Sequence, residues 1–171
     1  NDGQGNYSTS SDENTKTFQN LGLITDAVFI DLDEDQDPDL VVVGEFMGVR
    51  FFENKGGIFS ALENHPLANK KGWWNRMQAV DFDQDGDLDL VLGKHGKNSR
   101  FKASESNPIK LYLNDFDSNG SVEGILTFTD SNQIEFPYAL RHDLIDQMKS
   151  LKKKFPDYAS FKNASLETIL D

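Results

Sequence analysis

The chain has 171 residues, of which 37% are apolar, and this composition is sufficient for a globular domain with a hydrophobic core. It contains no cysteine, which excludes a disulfide framework and a thiolate metal site. The net charge of −12 arises from three nine-residue loops that hold 14 of the 29 acidic residues, and the nearly neutral remainder argues against a nucleic-acid-binding protein.

The first predicted unit is a pair of strands around an acidic loop. The apolar run Ala27–Ile30 precedes the loop Asp31–Asp39, and Leu40–Gly44 follows it. Val49–Asn54 is predicted to be a further short strand. The unit therefore consists of short strands joined by turns rich in Gly, Asn and Asp.

The same unit recurs fifty residues further along the chain. Met77–Val80, Asp81–Asp89 and Leu90–Gly93 repeat the strand, the acidic loop and the second strand, and Ile109–Asn114 corresponds to Val49–Asn54. A repeat of this length with several short strands is typical of β-propeller blades.

A third acidic loop, Asp115–Glu123, precedes a different kind of sequence. Glu123–Asp130 and Ile134–Tyr138 are predicted strands on either side of a polar turn. Apolar residues then recur at helical spacing from Leu140, and Pro156 ends this predicted helix. A serine at position 165 is placed to cap a second, shorter helix.

The sequence thus predicts a mainly β fold. Residues 1–138 form β-propeller-type blades, two to three repeats in all, and residues 139–171 form a short C-terminal α-helical tail. Two to three blades make only a partial propeller, because closed propellers have about four to eight. Open blades expose strand edges, so we expect upstream blades, or self-association with other copies, to complete the propeller.

The three loops share one arrangement of oxygen-bearing residues. Positions 1, 3, 5 and 9 offer side-chain oxygens, and position 7 offers its backbone carbonyl. Such a density of oxygens selects a hard cation such as Ca²⁺, which takes about six to eight oxygen ligands. The predicted ligands of two to three calcium ions are Asp31, Asp33, Asp35, Asp37 and Asp39 in the first loop, Asp81, Asp83, Asp85, Asp87 and Asp89 in the second, and Asp115, Asp117, Asn119, Ser121 and Glu123 in the third.

The residue at position 6 distinguishes the loops from one another. Gly86 and Gly120 permit the positive φ that we expect there, whereas Gln36 in the left-handed region costs about 1 kcal/mol. Because of Asn119, the third loop has one carboxylate fewer at positions 1, 3 and 5 than the other two loops. We therefore predict that the second loop binds calcium most tightly, followed by the first or the third.

These loops are not EF-hands. An EF-hand needs a bidentate Glu at position 12 and flanking helices. Position 12 is Val42, Leu92 or Leu126, each within a predicted strand, and the acid at position 9 takes the place of that Glu.

Three features of the sequence resemble the calcium-binding FG-GAP/VCBS repeats. They are the pattern V-D-F-D-x-D-G-D-x-D-L-V-x-G around Asp81–Asp89, the motif L-Y-x-N at Leu111–Asn114 and the turn Asn54–Phe59. The resemblance covers roughly residues 1 to 130 and implies blades of an integrin-α-like propeller with calcium in outward-facing loops. The segments Tyr138–Asp143 and Leu151–Phe155 resemble long bacterial surface proteins related to the cartilage-acidic-protein (ASPIC/UnbV) group. This second resemblance implies a secreted or cell-surface protein.

Outside the loops, Trp73 and Trp74 are candidates for an aromatic platform that binds sugar or peptide, although tryptophan is highly buried on average and packing between blades is the alternative. The paired carboxylates suggest a glycosidase acid/base pair. However, a catalytic acid needs a raised pKa, and acids on a cation stay ionised. The histidines His65, His95 and His142 lie far apart in the sequence and support no catalytic triad.

The predicted function is therefore a calcium-binding extracellular platform for protein or carbohydrate, and not an enzyme. One alternative is a purely structural segment of a large surface protein, and another is the scaffold of a polysaccharide-active enzyme. No apolar run in the sequence approaches the roughly 18–20 residues of a membrane span.

Overall fold

The computed structural model describes residues 4–9 and 12–171, so residues 1–3, 10 and 11 of the predicted blade region lie outside the described residues. The chain forms two compact units, residues 1–96 and 97–171. These are called the N-terminal unit and the C-terminal unit below. No helix in the described ranges combines the length and apolar character needed to cross a membrane.

Strands dominate the N-terminal unit. In its described part, the elements in chain order are α1 (Asp12–Thr17), β1 (Leu23–Ile30), β2 (Asp39–Met47), β3 (Arg50–Lys55), β4 (Ile58–Ala61), β5 (Gly72–Val80) and β6 (Asp89–Lys94).

Strand β2 lies at the centre of the N-terminal sheet. It pairs antiparallel with β1 over its first seven residues and with β3 between Leu40 and Val42. Strand β4 pairs with β3, so that β1 to β4 form a four-stranded antiparallel meander of the kind found in propeller blades. The far end of β2 pairs with β5, which in turn forms a hairpin with β6.

The core of the N-terminal unit is made of β-branched and aromatic side chains from β2, β3 and the turn between them. Val41, Val43 and Val49 are fully buried, and Phe51 packs against them together with Ile30 and Met77. Burial of each such side chain contributes about 1.5–3 kcal/mol of stability. Because β2 is buried on both faces, its sequence is a continuous apolar run and not an alternating one.

In the C-terminal unit, a small sheet packs against helices. Its described elements are β7 (Lys110–Asn114), β8 (Glu123–Thr129), β9 (Glu135–Pro137), α2 (Arg141–Gln147), α3 (Leu151–Lys154), α4 (Tyr158–Phe161) and α5 (Leu166–Leu170). The sheet is antiparallel in the order β7–β8–β9. Ile125 from β8 shares one core with Leu144, Met148, Leu151 and Ile169 from the helical region.

The predicted mainly β fold with blade-type antiparallel strands and a helical tail is confirmed. Each acidic loop joins two antiparallel strands, as expected. Position 12 of the loops, at Val42, Leu92 and Leu126, lies in a strand in all three cases, which excludes EF-hands.

The helical tail differs in detail from the expectation. The predicted single helix ending at Pro156 is two helices, because Met148 leaves the helical region (φ −118°, ψ 93°) and is buried. Arg141 holds the chain after α3, since its Nε and Nη2 donate to the carbonyls of Phe155 and Pro156 over 2.7 Å each. The predicted Ser165 cap is present, and its side chain accepts from the backbone N–H of Thr168.

The compact units also divide at a different position from the predicted domain boundary at residue 138. Strand β8 and the tail helices share a core, and so residues 97–138 belong with the tail in this division. Strand β7, which corresponds to β3 in the sequence repeat, pairs with β8. The assignment of residues 1–138 to blades and 139–171 to a tail remains a prediction.

Candidate metal centres and an aromatic surface

Each acidic loop brings three carboxylates together between a pair of strands. In each group, one carboxylate oxygen from each residue lies within 4.8 Å of those from the other two, a spacing that one cation can bridge. The groups are Asp31, Asp33 and Asp39 in the first loop, Asp81, Asp83 and Asp85 in the second, and Asp115, Asp117 and Glu123 in the third.

The other predicted ligands lie outside these carboxylate groups. The groups do not include Asp35, although they include the residue at the same position, position 5, of the second loop. They do not include Asp89 either, although they include the residues at position 9 of the other two loops. Asp37 and Asp87 stand at position 7, where we predicted a backbone carbonyl ligand and not a carboxylate. The remaining predicted ligands, Asn119 and Ser121, have no carboxylate.

The three loops share one backbone conformation. Position 6 has a positive φ in each loop, as predicted: 75° at Gln36, 102° at Gly86 and 89° at Gly120. Position 4 is also left-handed, which the sequence analysis missed because no glycine marks it: the φ values are 63° at Glu34, 63° at Gln84 and 57° at Ser118. Each non-glycine residue in this region costs about 1–2 kcal/mol, so each loop stores backbone strain.

Equivalent hydrogen bonds close all three loops. In each, the carboxylate at position 1 accepts from the backbone N–H at position 6: Asp31 from Gln36, Asp81 from Gly86 and Asp115 from Gly120, over 2.9–3.2 Å. The acid at position 9 accepts from the N–H at position 2: Asp39 from Leu32, Asp89 from Phe82 and Glu123 from Phe116, over 2.8–3.1 Å. These bonds fix the carboxylates that begin and end each loop.

Two carboxylate oxygens in these groups are buried and unpaired. Oδ1 of Asp81 and Oδ1 of Asp117 have no hydrogen-bond donor in the described part of the chain. A buried anionic oxygen without a donor is costly unless a cation neutralises it. The oxygen-only donor set and these unpaired oxygens therefore fit a hard divalent cation.

Several of the closely spaced loop acids have shifted pKa values, and repulsion between carboxylates is one of the causes. Burial, followed by the negative charge of Asp35, raises the pKa of Asp33 above its ordinary value. In the second loop, the backbone N–H of Asp87 lowers the pKa of Asp85, while a hydrogen bond and repulsion from Asp85 raise the pKa of Asp87. A bound divalent cation would hold all of these acids ionised.

The first loop is covered by the hairpin that follows it. Asn54 donates its backbone N–H to Oδ1 of Asp39 over 2.7 Å, and its side-chain amide donates to the carbonyl of Pro38 over 2.9 Å. The backbone N–H of Gly56 donates to Oδ2 of Asp37 over 2.9 Å. Asp39 is consequently only 1% exposed. The signal in the sequence for this closure is the Asn-x-Gly motif at the end of β3, which repeats the spacing of other turns but does not itself reveal the contact with Asp39.

The other two loops are covered to different degrees. In the third, Glu123 is buried and Phe116 packs against the core of the C-terminal unit. The second loop is more open, because its ninth residue Asp89 is exposed and its side chains Phe82 and Leu88 are 76% and 55% exposed.

The two adjacent tryptophans have separate environments. Trp74 packs against the N-terminal core and donates its indole N–H to the carbonyl of Met47 over 3.1 Å. Trp73 instead contacts two other rings, Phe46 at 5.2 Å between ring centroids and His95, stacked at 4.8 Å. Phe46 has a positive φ of 59° beside a bulge in β2, and this turns its ring towards Trp73.

The rings of Phe46, Trp73 and His95 are called the aromatic ladder here. Sequence reasoning missed Phe46 and His95 because only the register of three strands brings them beside Trp73: Glu45 pairs with Trp73, and the N–H of His95 donates to the carbonyl of Trp73. The first two acidic loops lie at the opposite ends of β2, β5 and β6 from the ladder.

Comparison with known families identifies one segment. The family model described as an FG-GAP-like repeat matches residues 31–92, which run from the first acidic loop into β6. Searches of curated proteins and of solved structures returned no match. The match supports the FG-GAP part of the resemblance for the stretch that contains the first two loops.

Proposed function

We propose that the chain is a calcium-stabilised binding domain of an extracellular or cell-surface protein. The observation that carries the proposal is the threefold carboxylate cluster in strand-connecting loops, with buried unpaired oxygens on Asp81 and Asp117. The FG-GAP-like match to residues 31–92 supports an extracellular or cell-surface location of the protein, because such repeats are typical of extracellular and surface proteins. We also propose, on the resemblance of its C-terminal tail motifs, that the chain is related to the ASPIC/UnbV group.

Calcium would be held by the three carboxylate groups, aided by the other oxygens of each loop. A bound ion supplies charge neutralisation, which removes the repulsion within a loop and joins the two strands that the loop connects. If free calcium exceeds the dissociation constant a hundredfold, each site contributes about 2.7 kcal/mol to folding stability. Extracellular modules bind calcium with dissociation constants of about 10⁻⁴–10⁻³ M, so this stabilisation depends on the external calcium concentration.

Thermal unfolding of the full chain in calcium chloride and in EDTA tests the calcium part of the proposal. We expect a higher Tm with calcium and a smaller calcium-induced rise in the variant Asp83→Asn, which weakens one carboxylate group. The matched control is Asp146→Asn, an acid on α2 that is exposed and lies outside the loops. An equal Tm in both buffers would refute the proposed role of calcium.

The binding surface proposed for this domain is the aromatic ladder. Aromatic faces exposed beside one another are suited to the apolar face of a sugar ring or to peptide side chains. Trp73 and Phe46 are half-buried and His95 is exposed, so the three rings border solvent in the N-terminal unit. Stacking and hydrogen bonding at such a surface need no catalytic group, and we propose binding without chemistry as its function.

Binding to glycan and peptide arrays, with Trp73→Ala as the test variant, addresses this surface. The matched control is Phe82→Ala, which removes another exposed aromatic ring, from the second acidic loop. We expect the first variant to lose binding and the second to keep it. Binding retained by Trp73→Ala would exclude the aromatic ladder as the binding surface. An absence of binding by the unsubstituted chain would favour the alternative of a purely structural segment.

A further inference from the structure

A cavity of about 170 Å³ lies in the N-terminal unit between the chain after α1, the start of β3 and the chain after β4. Its apolar lining comes from Leu21, Phe51 and Leu62, and Gln19 and Asn20 line its polar side. The volume corresponds to roughly five or six water molecules. The residues that line the cavity belong neither to the acidic loops nor to the aromatic ladder, so the cavity has no part in the proposed function.

Arg50 lines this cavity, and one of the donors of its guanidinium has no partner within the described ranges. Among the residues that the structure describes, no group accepts a hydrogen bond from its buried Nε–H. A guanidinium is always protonated, so this donor remains charged at every physiological pH. Leaving a charged donor unpaired in a buried position is more costly than leaving a neutral one, and this favours an acceptor from outside the chain.

The other side of the guanidinium is only loosely neutralised. Nη1 of Arg50 lies 3.6 Å from Oε2 of Glu63, whose side chain is 72% exposed. An exposed pair at this distance is weak, because water screens it. Arg50 therefore retains a positive charge and a free N–H edge, and a planar carboxylate matches the N–H edge of a guanidinium.

The cavity wall is fixed to the sheet. The N–H of Leu62 donates to the carbonyl of Phe51 over 2.8 Å, and the N–H of Val49 donates to the carbonyl of Leu67 over 3.3 Å. The ring of His65 stacks on Phe51 with 3.7 Å between centroids. These contacts hold the segment after β4 in place, so the cavity is part of the folded unit and not a gap beside a loose loop.

We propose that this cavity binds a small carboxylate ligand through Arg50. The carboxylate accepts from Nε–H and the neighbouring N–H of the guanidinium, and a short aliphatic body lies on Phe51 and Leu62. The size of the cavity excludes a drug-sized molecule, since such ligands occupy pockets of about 300–1,000 Å³. This inference does not depend on the calcium sites.

The test is an NMR titration of the ¹⁵N-labelled full chain with sodium acetate at constant ionic strength, with sodium chloride as the reference salt. The Nε–Hε signal of Arg50 should shift and saturate with acetate. The Nε–Hε signals of Arg76 and Arg141 serve as internal controls and should not show a saturable shift. Arg76 is 83% exposed beside Asp26, and the Nε of Arg141 already donates to the carbonyl of Phe155.

Two variants separate binding from a general salt effect. The backbone amide of Leu62, which lines the cavity, should shift and saturate with acetate in the parent chain. Arg50→Lys keeps the charge but lacks the N–H edge, so this Leu62 shift should disappear. Glu63→Gln removes the competing carboxylate at the exposed surface, so acetate should bind about fivefold more tightly or better, the factor that one charge a few ångströms away contributes in water. The second variant decides the matter even if the first one fails to fold.

Three results would overturn the proposal: an Arg50 signal that does not saturate, equal shifts at Arg76, or unchanged acetate affinity in Glu63→Gln. Sulfate that binds as tightly as acetate would overturn the assignment to carboxylates. The site would be established by a saturable shift at Arg50 that Arg76 and Arg141 do not show and that Glu63→Gln strengthens, together with a Leu62 amide shift that Arg50→Lys abolishes.

Discussion

The backbone N–H of Asn54 donates to Oδ1 of Asp39 over 2.7 Å, and this bond ties strand β3 to the first acidic loop. The Asn54 side chain adds a bond to the carbonyl of Pro38 and accepts the N–H of Gly57, each over 2.9 Å. One residue outside the loop therefore holds the acid at position 9 and the loop backbone in place. The first loop is preorganised in a way that its ligand residues alone do not reveal.

Replacing Asn54 with Ala should destabilise the chain by about 1–3 kcal/mol, because a buried side chain loses two hydrogen bonds and leaves Pro38 without its donor. The matched control is Asn114→Ala, since Asn114 holds the corresponding position in the sequence repeat and is exposed. Urea unfolding measures both. Equal effects of the two substitutions would contradict the closure described for the first loop.

Gln36→Gly should stabilise the chain by about 0.5–1 kcal/mol. The φ of 75° at Gln36 costs about 1–2 kcal/mol, and the greater freedom of glycine in the unfolded chain offsets about 0.4–1 kcal/mol of that gain. The reciprocal change Gly86→Gln, at a φ of 102°, should destabilise by about 0.5–1 kcal/mol, because the same two contributions act with opposite sign. Chemical unfolding of both variants is the measurement, and a loss of stability in Gln36→Gly would show that its side chain has another role.

The stability of the N-terminal unit should depend on the ionisation of Asp26. Its carboxylate accepts the N–H of Met77 over 2.9 Å, and this bond lowers the pKa of Asp26, with burial opposing the shift and Ala27 and Arg76 assisting it. Because the folded pKa lies below the ordinary value of 3.8, the ionised form favours folding. This contribution is complete above the unfolded pKa and is lost as the pH falls through the folded pKa.

The measurement is the difference in unfolding free energy between the parent chain and Asp26→Asn as a function of pH. We expect a difference that is constant near neutral pH and shrinks below about pH 4. The exposed acid Asp146, replaced in the same way, supplies the control. A difference that does not change with pH would mean that the charge of Asp26 contributes nothing.

Thr127 should be essential to the C-terminal sheet. Its hydroxyl is fully buried and donates to the carboxylate of Glu135, which also accepts from Lys110 and Tyr112. Thr127→Val removes one donor from a network that joins β7, β8 and β9, and we expect a loss of about 1–3 kcal/mol. Thr129→Val, a partly exposed site on the same strand, should change stability little. Comparable losses in the two variants would argue against the network.

The parts of the fold that the sequence predicts are those with a local cause. Alternating acids are visible in a nine-residue window, and so are the apolar runs that follow Asp39 and Asp89 and become strands. The requirement for a positive φ at Gly86 and Gly120 also follows from the residue itself.

The features that were missed depend on distant contacts. The left-handed φ at Gln84 occurs at a residue type that does not prefer it, so the loop as a whole imposes it. The helix break at Met148 was missed because this residue is buried at the position that helical spacing predicts, so the apolar pattern does not mark the change in its φ and ψ. Phe46 and His95 join Trp73 only through strand register, as Asn54 reaches Asp39 only through pairing of β2 with β3.

The central claim is that the acidic loops bind calcium, and isothermal titration of the full chain with calcium chloride tests it most directly. We expect saturable binding of two to three ions per chain, reduced by one in a variant that carries Asp81→Asn and Asp83→Asn together. The absence of saturable heat at millimolar calcium, or the same stoichiometry in that variant, would contradict the claim.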